Sequence, residues 1–257
     1  VDSSLLQLKL EDIKLLAKKL KVIPYKKRYI YLFGPVELPV SLNGESIFFR
    51  WYTWFIHGEM WSLTKVLGKL PNLSQHEFQQ SSVLIYGDFE NSERAKVRLH
   101  SICHTGDIFG SEKCDCGTQL HLSLQKIYES GSGALFYLSN HEGRGIGLFS
   151  KSMTYVLQQE GYSTVEANLL LGYKEDCRNY EEVSFLLQKL RKKPIILLTN
   201  NPDKIINLRK RGIIIEGFEN VIGDVNKYNI KYLETKINDM NHSFKLVKED
   251  EECIQDQ

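Results

Sequence analysis

The chain has 257 residues, with 33 Lys and Arg against 32 Asp and Glu, for a formal charge of +1. It therefore lacks the basic excess of a protein built around a nucleic-acid backbone. Hydrophobic residues make up 42% and charged residues 25%, an ordinary globular composition with enough chain to bury a sizeable core. No run of eighteen apolar residues and no signal-peptide plan is present, so neither membrane nor nucleic acid is an expected partner.

Residues 2–23 have a candidate cap at Ser3 or Ser4, then Leu6, Leu10, Ile13, Leu16 and Leu20 at helical spacing. This predicts an amphipathic helix and an N-terminal helical extension over 1–28, its apolar face serving a core or a dimer. From Tyr29 to Tyr86, "VELPVSL", "ESIFFRWYTWF" and "SSVLIYGDF" read as β-strands, with turn signals at Gly34-Pro35, Asn43-Gly44 and Gly87-Asp88. Trp51, Trp54 and Trp61 fall in this region and are expected in the core rather than stacked on a base. Beyond it, "AKVRLHS", "GALFYLSN" and "KPIILLTNN" read as strands. "TQLHLSLQKIYESG", "GLFSKSMTYVLQQEG", "PDKIINLRKRG" and "KYLETKINDM" read as helices. Pro202 near a helix start and Gly212 after its end fit their usual positions. The alternation predicts an α/β layer, giving an α/β (α+β) mixed sheet flanked by helices with a β-rich N-terminal half. The main domain spans 29–240, and 241–257 is a polar tail.

Cys103, Cys114 and Cys116, three of the five cysteines, fall within "CHTGDIFGSEKCDC". The odd total and this spacing do not make a disulfide framework. They favour a reducing, cytoplasmic setting in which clustered thiols bind metal. A structural zinc site usually has four protein ligands, whereas three leave a position for water, as in a catalytic site. Two other readings stay open from spacing alone: a closed site completed by His100, His104 or His121, and unrelated buried thiols.

Other features are weak in isolation. Glu142–Gly147, "EGRGIG", is a glycine-rich turn before a helix, able to aim N–H groups at an anion. Lys204 alone reads as a solvated helix lysine, Asp176 and Arg178 as a surface pair, and Tyr155 as a core aromatic. Gln119 and Thr164 alone read as caps.

In order along the chain, "VRLHSICHTGDIFGSEKCDCG", "HEGRGIGL", "GYSTVEANLLLGYKEDCRNY" and "LLTNNPDK" closely resemble the GTP cyclohydrolase II family of riboflavin biosynthesis. The resemblance is strong over Val97 to Lys236 and looser before Tyr86. It implies an enzyme converting GTP to 2,5-diamino-6-(5-phospho-D-ribosylamino)pyrimidin-4(3H)-one, formate and pyrophosphate. It also implies one Zn²⁺ per subunit on Cys103, Cys114 and Cys116, Mg²⁺ with the triphosphate, and a homodimer. Matching positions imply nucleotide binding by Arg98, His100, Ser101, Gln119, Glu142, Gly143, Arg144, Thr164, Thr199 and Lys204. Glu142 matches a reader of the guanine edge and Tyr155 a tyrosine near the purine. Arg178 matches a nucleophile at the α-phosphorus and Asp176 its proton acceptor. A protonated guanidinium is a poor nucleophile, so charge stabilisation by Arg178 is the conservative alternative.

Two departures stand out. Asn140-His141 replaces the family's Arg-Gln before Glu-Gly-Arg, and Cys177 separates Asp176 from Arg178. The rival functions are an enzyme stopping at the formylated pyrimidine, a silent nucleotide-binding paralogue, and a structural-zinc nucleic-acid module. The near-zero charge disfavours the last.

Overall fold

The computed structural model describes residues 9–74 and 81–238. Its centre is one eight-stranded sheet in the order β1-β2-β3-β4-β6-β5-β7-β8. The first half of the chain builds an antiparallel meander: β1 (Leu20–Tyr25), β2 (Arg28–Leu42), β3 (Glu45–His57) and β4 (Ser81–Tyr86). Asn43 and Gly44, with φ of 52° and 84°, close the β2–β3 hairpin. Two successive positive φ values are what such a tight turn demands, and Asn-Gly supplies them at low cost. In β4, Val83 and Ile85 face the core while Ser82, Leu84 and Tyr86 are half-exposed, the alternation of a strand whose two faces meet different neighbours.

The second half adds β5 (Lys96–Ser101), β6 (Gly133–Leu138), β7 (Ile195–Leu198) and β8 (Ile215–Glu219). β6 pairs antiparallel with β4, while β6–β5, β5–β7 and β7–β8 are parallel. Among the described residues, the helices of the rest of the fold are α2 (Leu63–Lys69), α3 (Cys116–Glu129), α4 (Leu148–Gln159), α5 (Thr164–Leu170), α6 (Glu181–Leu190) and α7 (Pro202–Lys210). α1 (Leu10–Lys19) precedes them and α8 (Ile230–Asn238) follows. On one face of the sheet, Leu186 and Leu187 of α6 and Leu208 of α7 pack on Ile30, Trp54, Val83, Val97 and Phe136. On the other, Leu124 and Ile127 of α3 pack on Phe49, Leu135 and Leu198. Burial of these side chains on both faces is the main stabilising contribution.

The expected mixed sheet flanked by helices is observed. The N-terminal helix is shorter than predicted. Leu20–Tyr25 is a strand paired with β2, from Leu20 opposite Phe33 to Tyr25 opposite Arg28. Val22, Ile23 and Pro24 explain the change: branched side chains favour the pleat, and proline steers its predecessor away from helix. The candidate caps Ser3 and Ser4 and the tail over 241–257 lie outside the described residues. Gly34-Pro35, expected as a turn, instead marks a cis bond and a register shift inside the long β2–β3 pairing. Trp54 and Trp61 are buried and Trp51 is half-buried. No helix among the described residues is long and apolar enough to cross a membrane.

Candidate active site

The parallel strands deliver the site. Three loops leave the C-terminal ends of β5, β6 and β7 and converge on a cavity of about 640 Å³, where open α/β sheets place their ligands. After β5 comes the cysteine loop, beginning with one wide turn over His104–Ile108. After β6 comes the Glu142–Gly147 turn, and after β7 the Thr199–Asn201 stretch.

The Sγ atoms of Cys103, Cys114 and Cys116 lie within 4.8 Å of one another, with Cys103 and Cys114 at 3.6 Å. No histidine or carboxylate joins them within that radius among the described residues. His100 is instead committed to Asp107, its Nε2 at 3.0 Å from the carboxylate. Gly106 leaves the space at the thiols clear, since a Cβ there would meet Cys114 Sγ at 2.8 Å and Cys103 Sγ at 3.2 Å. The three sulfurs and this side-chain-free cradle suit a soft or borderline metal ion. Within the trio, donation from Cys114 and Cys116 favours the Cys103 thiolate and pushes its pKa far down. The same partnership pushes Cys114 up to about 11.

Buried polar groups hold the loop. Asp107 accepts from the Cys103 backbone N–H at 2.9 Å and from the Tyr137 hydroxyl at 3.0 Å. Glu142 accepts from the His104 N–H at 2.7 Å through one carboxylate oxygen. The other takes the Lys151 ammonium at 2.7 Å. Lys151 also lies 3.2 Å from Cys103 Sγ. Tyr155, one turn beyond Lys151 on α4, puts its hydroxyl 3.2 Å from Thr105.

The opposite side of the cavity is cationic. Arg98 donates to Leu198 O at 3.0 Å and to Gln119 Oε1 at 2.6 Å, leaving Nε without a partner among the described residues. Arg144 stands at φ 63° between Gly143 and Gly145. This left-handed run folds the turn tightly against the next loop: a Cβ at Gly145 would meet the Cys177 carbonyl carbon at 2.9 Å. Both terminal nitrogens of Arg144 are buried and have no partner among the described residues. Lys204 donates to Leu99 O at 3.0 Å. Burial, followed by the nearby Arg98 and Arg178 charges, pushes its pKa well below the ordinary lysine value. His100 shifts down for the same leading reason, and its Nδ1 is buried without a partner among the described residues.

Arg178 and Asp176 form a fork, with Nε donating to Oδ1 and Oδ2 at 2.9 and 3.0 Å and Nη2 to Oδ2 at 2.5 Å. Nη1 reaches toward Ser101 Oγ at 3.4 Å. Burial opposes the Arg178 charge, but Tyr180 and Asp176 outweigh it and raise the pKa. Asp176 stays below its usual value against its own burial because Arg178 donates to it.

Each predicted site residue except Asp176 lines the cavity, including Thr164 at the start of α5 and Thr199 after β7. Asp176 joins through Arg178. Sequence reasoning missed Lys151, although it shares a helix face with Tyr155. It also missed Asp107, Tyr228, Tyr232 and Lys236, and singled out His141 only as a departure at the rim of the pocket, which it lines. His141 bridges Ser101 Oγ at 3.2 Å and Asn179 O at 3.0 Å, and burial pushes its pKa down to about 4.

Comparison with known proteins places the chain's similarities in one family. The sequence model of the GTP cyclohydrolase II family matches residues 73–220. The chain is 48% identical over 167 residues to the riboflavin biosynthesis protein RibBA of Phocaeicola vulgatus, covering 64% of this chain and 41% of that protein. It is 46% identical over 161 residues to GTP cyclohydrolase-2 of Haemophilus influenzae, covering 62% of this chain and 74% of that one. It is 42% identical over 165 residues to the monofunctional riboflavin biosynthesis protein RIBA 3, chloroplastic, of Arabidopsis thaliana, covering 64% and 32%. The chain thus spans less than half of the first and third relatives and about three quarters of the second.

Proposed function

The chain belongs to the GTP cyclohydrolase II family, and from that premise we propose that it hydrolyses GTP to the diaminopyrimidine phosphoribosyl product, formate and pyrophosphate, opening riboflavin biosynthesis. The observation that carries this reading is a single cavity with three converging thiols on one side and buried, under-partnered cations on the other. A purine nucleotide is a ligand with a reactive imidazole at one end and concentrated negative charge at the other.

Cys103, Cys114 and Cys116 would hold one Zn²⁺ per subunit, which supplies a Lewis acid that activates water for attack on the purine imidazole carbon. The chain's own groups bind and orient. Arg98, Arg144 and Lys204 offer positive charge to the triphosphate, which enters with Mg²⁺. An arriving phosphate favours the charged form of Lys204, reversing the effect of its burial. Ser101, Gln119, Thr164, Thr199 and the Gly143 backbone hold the sugar, base and phosphate edges, and the free His100 Nδ1 adds one more polar contact. Tyr155 flanks the purine beside the thiols.

For Arg178 the fork with Asp176 supports charge stabilisation at the α-phosphorus over attack by the guanidinium, since the carboxylate keeps it protonated. For Glu142, both oxygens are engaged within the protein, which supports a positioning role on the cysteine loop. Glu142→Gln separates this from guanine-edge reading: positioning leaves discrimination against ATP intact, whereas edge reading relaxes it.

Ile108 and Phe109 on the cysteine loop and Leu148, Phe149, Met153 and Val156 on α4 are each exposed, which supports assembly as a homodimer. The free thiols suit a reducing compartment such as the cytoplasm.

The test is purified protein with GTP, Zn²⁺ and Mg²⁺, followed for formate, pyrophosphate and the diaminopyrimidine. All three are expected. A formylated pyrimidine without formate would identify an enzyme that stops after ring opening. GTP bound but returned unchanged would identify a nucleotide-binding protein without catalysis.

A further inference from the structure

Residues 221–238 lie beyond the stretch matched by the family's sequence model, yet Tyr228, Tyr232 and Lys236 form one wall of the cavity. This segment is fixed at both ends. At its start, the Asn200 side chain clamps Val221, donating to its carbonyl at 2.6 Å and accepting from its N–H at 2.8 Å. Gly223 then presses on the cysteine loop, where a Cβ would meet Asp115 Cβ at 2.8 Å and Asp115 O at 2.9 Å. Asn226 and Asn229 bond each other's backbone N–H groups and turn the chain into α8, and Leu233 anchors the helix with no exposed surface. At the far end, Lys236 Nζ donates to Asp115 Oδ1 at 2.8 Å, the two side chains being 10% and 1% exposed.

Asp115 sits between Cys114 and Cys116. Its Oδ2 accepts from Gln119 Nε2 at 2.5 Å, and Gln119 passes the connection to Arg98. A buried chain of charge-assisted hydrogen bonds therefore runs from α8, past the thiols, to a guanidinium on the cationic side of the cavity. A helix needed only as cover would be anchored more cheaply by apolar contact. A desolvated ion pair holds well only with both partners in place, and removing one leaves the other charge stranded. Tyr232 is one turn before Lys236 on the same helix face, its ring centroid 4.2 Å from Lys236 Nζ. Burial and then Cys116, Cys114 and Asp115 push its phenol pKa well up, while the Arg144 charge acts in the opposite direction. Tyr232 lines the same cavity as the three thiols and Arg144.

We propose that α8 is a working wall of the active site: Lys236, acting through Asp115, is a positioning residue for the cysteine loop and Arg98, and Tyr232 contacts the purine nucleotide. The nucleotide contact rests on the function proposed above. The positioning of the cysteine loop does not.

The experiment uses the full-length zinc-loaded protein and five variants: Lys236→Met, Asp115→Asn, the double variant, Lys236→Arg and Tyr232→Leu. Transfer of zinc to a colorimetric chelator and steady-state kinetics with GTP are measured for each. Lys236→Met and Asp115→Asn should each speed zinc transfer and raise KM for GTP by about tenfold. The double variant should be no worse than the poorer single one, because the stranded charge is gone. Lys236→Arg should restore most of both properties. Tyr232→Leu should raise KM by about tenfold while zinc transfer stays at the parent rate. Parent-like zinc transfer in Lys236→Met, or losses that multiply in the double variant, would overturn the positioning role. Parent-like KM in Tyr232→Leu would overturn the contact. If Lys236→Met does not fold, failure of Lys236→Arg to retain parent zinc transfer and KM overturns the positioning role, and success supports it. A parent that releases no formate from GTP would defeat the proposed reaction, while zinc transfer would still decide the positioning.

Discussion

The antiparallel half and the parallel half of the sheet solve different problems. β2 and β3 are long, 15 and 13 residues, joined by a tight turn, and bury their polar groups in pairs, as where the Trp54 indole meets the Glu182 carboxylate. β5 and β7 are short, 6 and 4 residues, and end in loops packed with charge. The buried side-chain nitrogens without a partner among the described residues are Arg98 Nε, His100 Nδ1 and the two terminal nitrogens of Arg144. All of them lie in the parallel half. A buried donor without an acceptor costs on the order of 1–3 kcal/mol. Among the described residues the meander has no such cost at its side-chain nitrogens, and the site bears it where a ligand's oxygens would relieve it.

The largest effect expected from this division is at the cysteine cluster. Cys114→Ala should abolish formate release, with activity down by at least about a thousandfold, and should lower bound zinc measured by elemental analysis. Formate release at the parent rate would sever the metal from the reaction. Next is Arg144→Met, which removes an unpaired buried charge. It should raise the ligand-free melting temperature while raising KM for GTP at least about tenfold. The parent should be further stabilised by added GTP and the variant much less so. A lower melting temperature with unchanged KM would make Arg144 a structural residue and erase the contrast between the halves.

A third effect concerns acid. His141, buried against Asn179 O and Ser101, titrates near 4 in the folded chain, against about 6.5 when unfolded. The unfolded chain therefore binds the extra proton between those values, so stability falls as pH drops from about 6.5 toward 4. The linkage is worth about 1 kcal/mol at pH near 5.5. His141→Gln should flatten that part of the profile, checked by urea midpoints at neutral and mildly acid pH. An unchanged slope would remove His141 from the acid response.

The same contrast explains what could be read in advance. Asn43-Gly44, the alternating strands, and Pro202 and Gly212 around α7 are local signals, and each stood where the chemistry required. β1 continued the apolar spacing of the helix before it and became a strand only by pairing with β2. β8, "IEGFE", lacks strand alternation and depends on β7. α6 carried legible helical spacing at Val183, Leu186, Leu187 and Leu190, so its omission reflects an unused signal rather than a missing one. In the site, the thiol trio was legible because its ligands are close in sequence. Lys236 and Asp115 are 121 residues apart, and no spacing rule reaches that far; only the sheet order brings them together.

The smallest effect tests the quiet half. Ile30 on β2 is fully buried against the sheet core and far in sequence from the cavity's loops. Ile30→Val removes one methylene and should cost about 1 kcal/mol of stability, read as a shift in the urea midpoint with unchanged slope. Because the meander's packing is satisfied without ligand, kcat and KM for GTP should not move. A changed KM would mean that the meander transmits strain into the β5–β7 loops through Val97 and Phe136, which share its core. The two halves would then be a single mechanical unit, and the unpaired nitrogens of the site would have to be explained by the packing of the whole sheet rather than by the ligand they await.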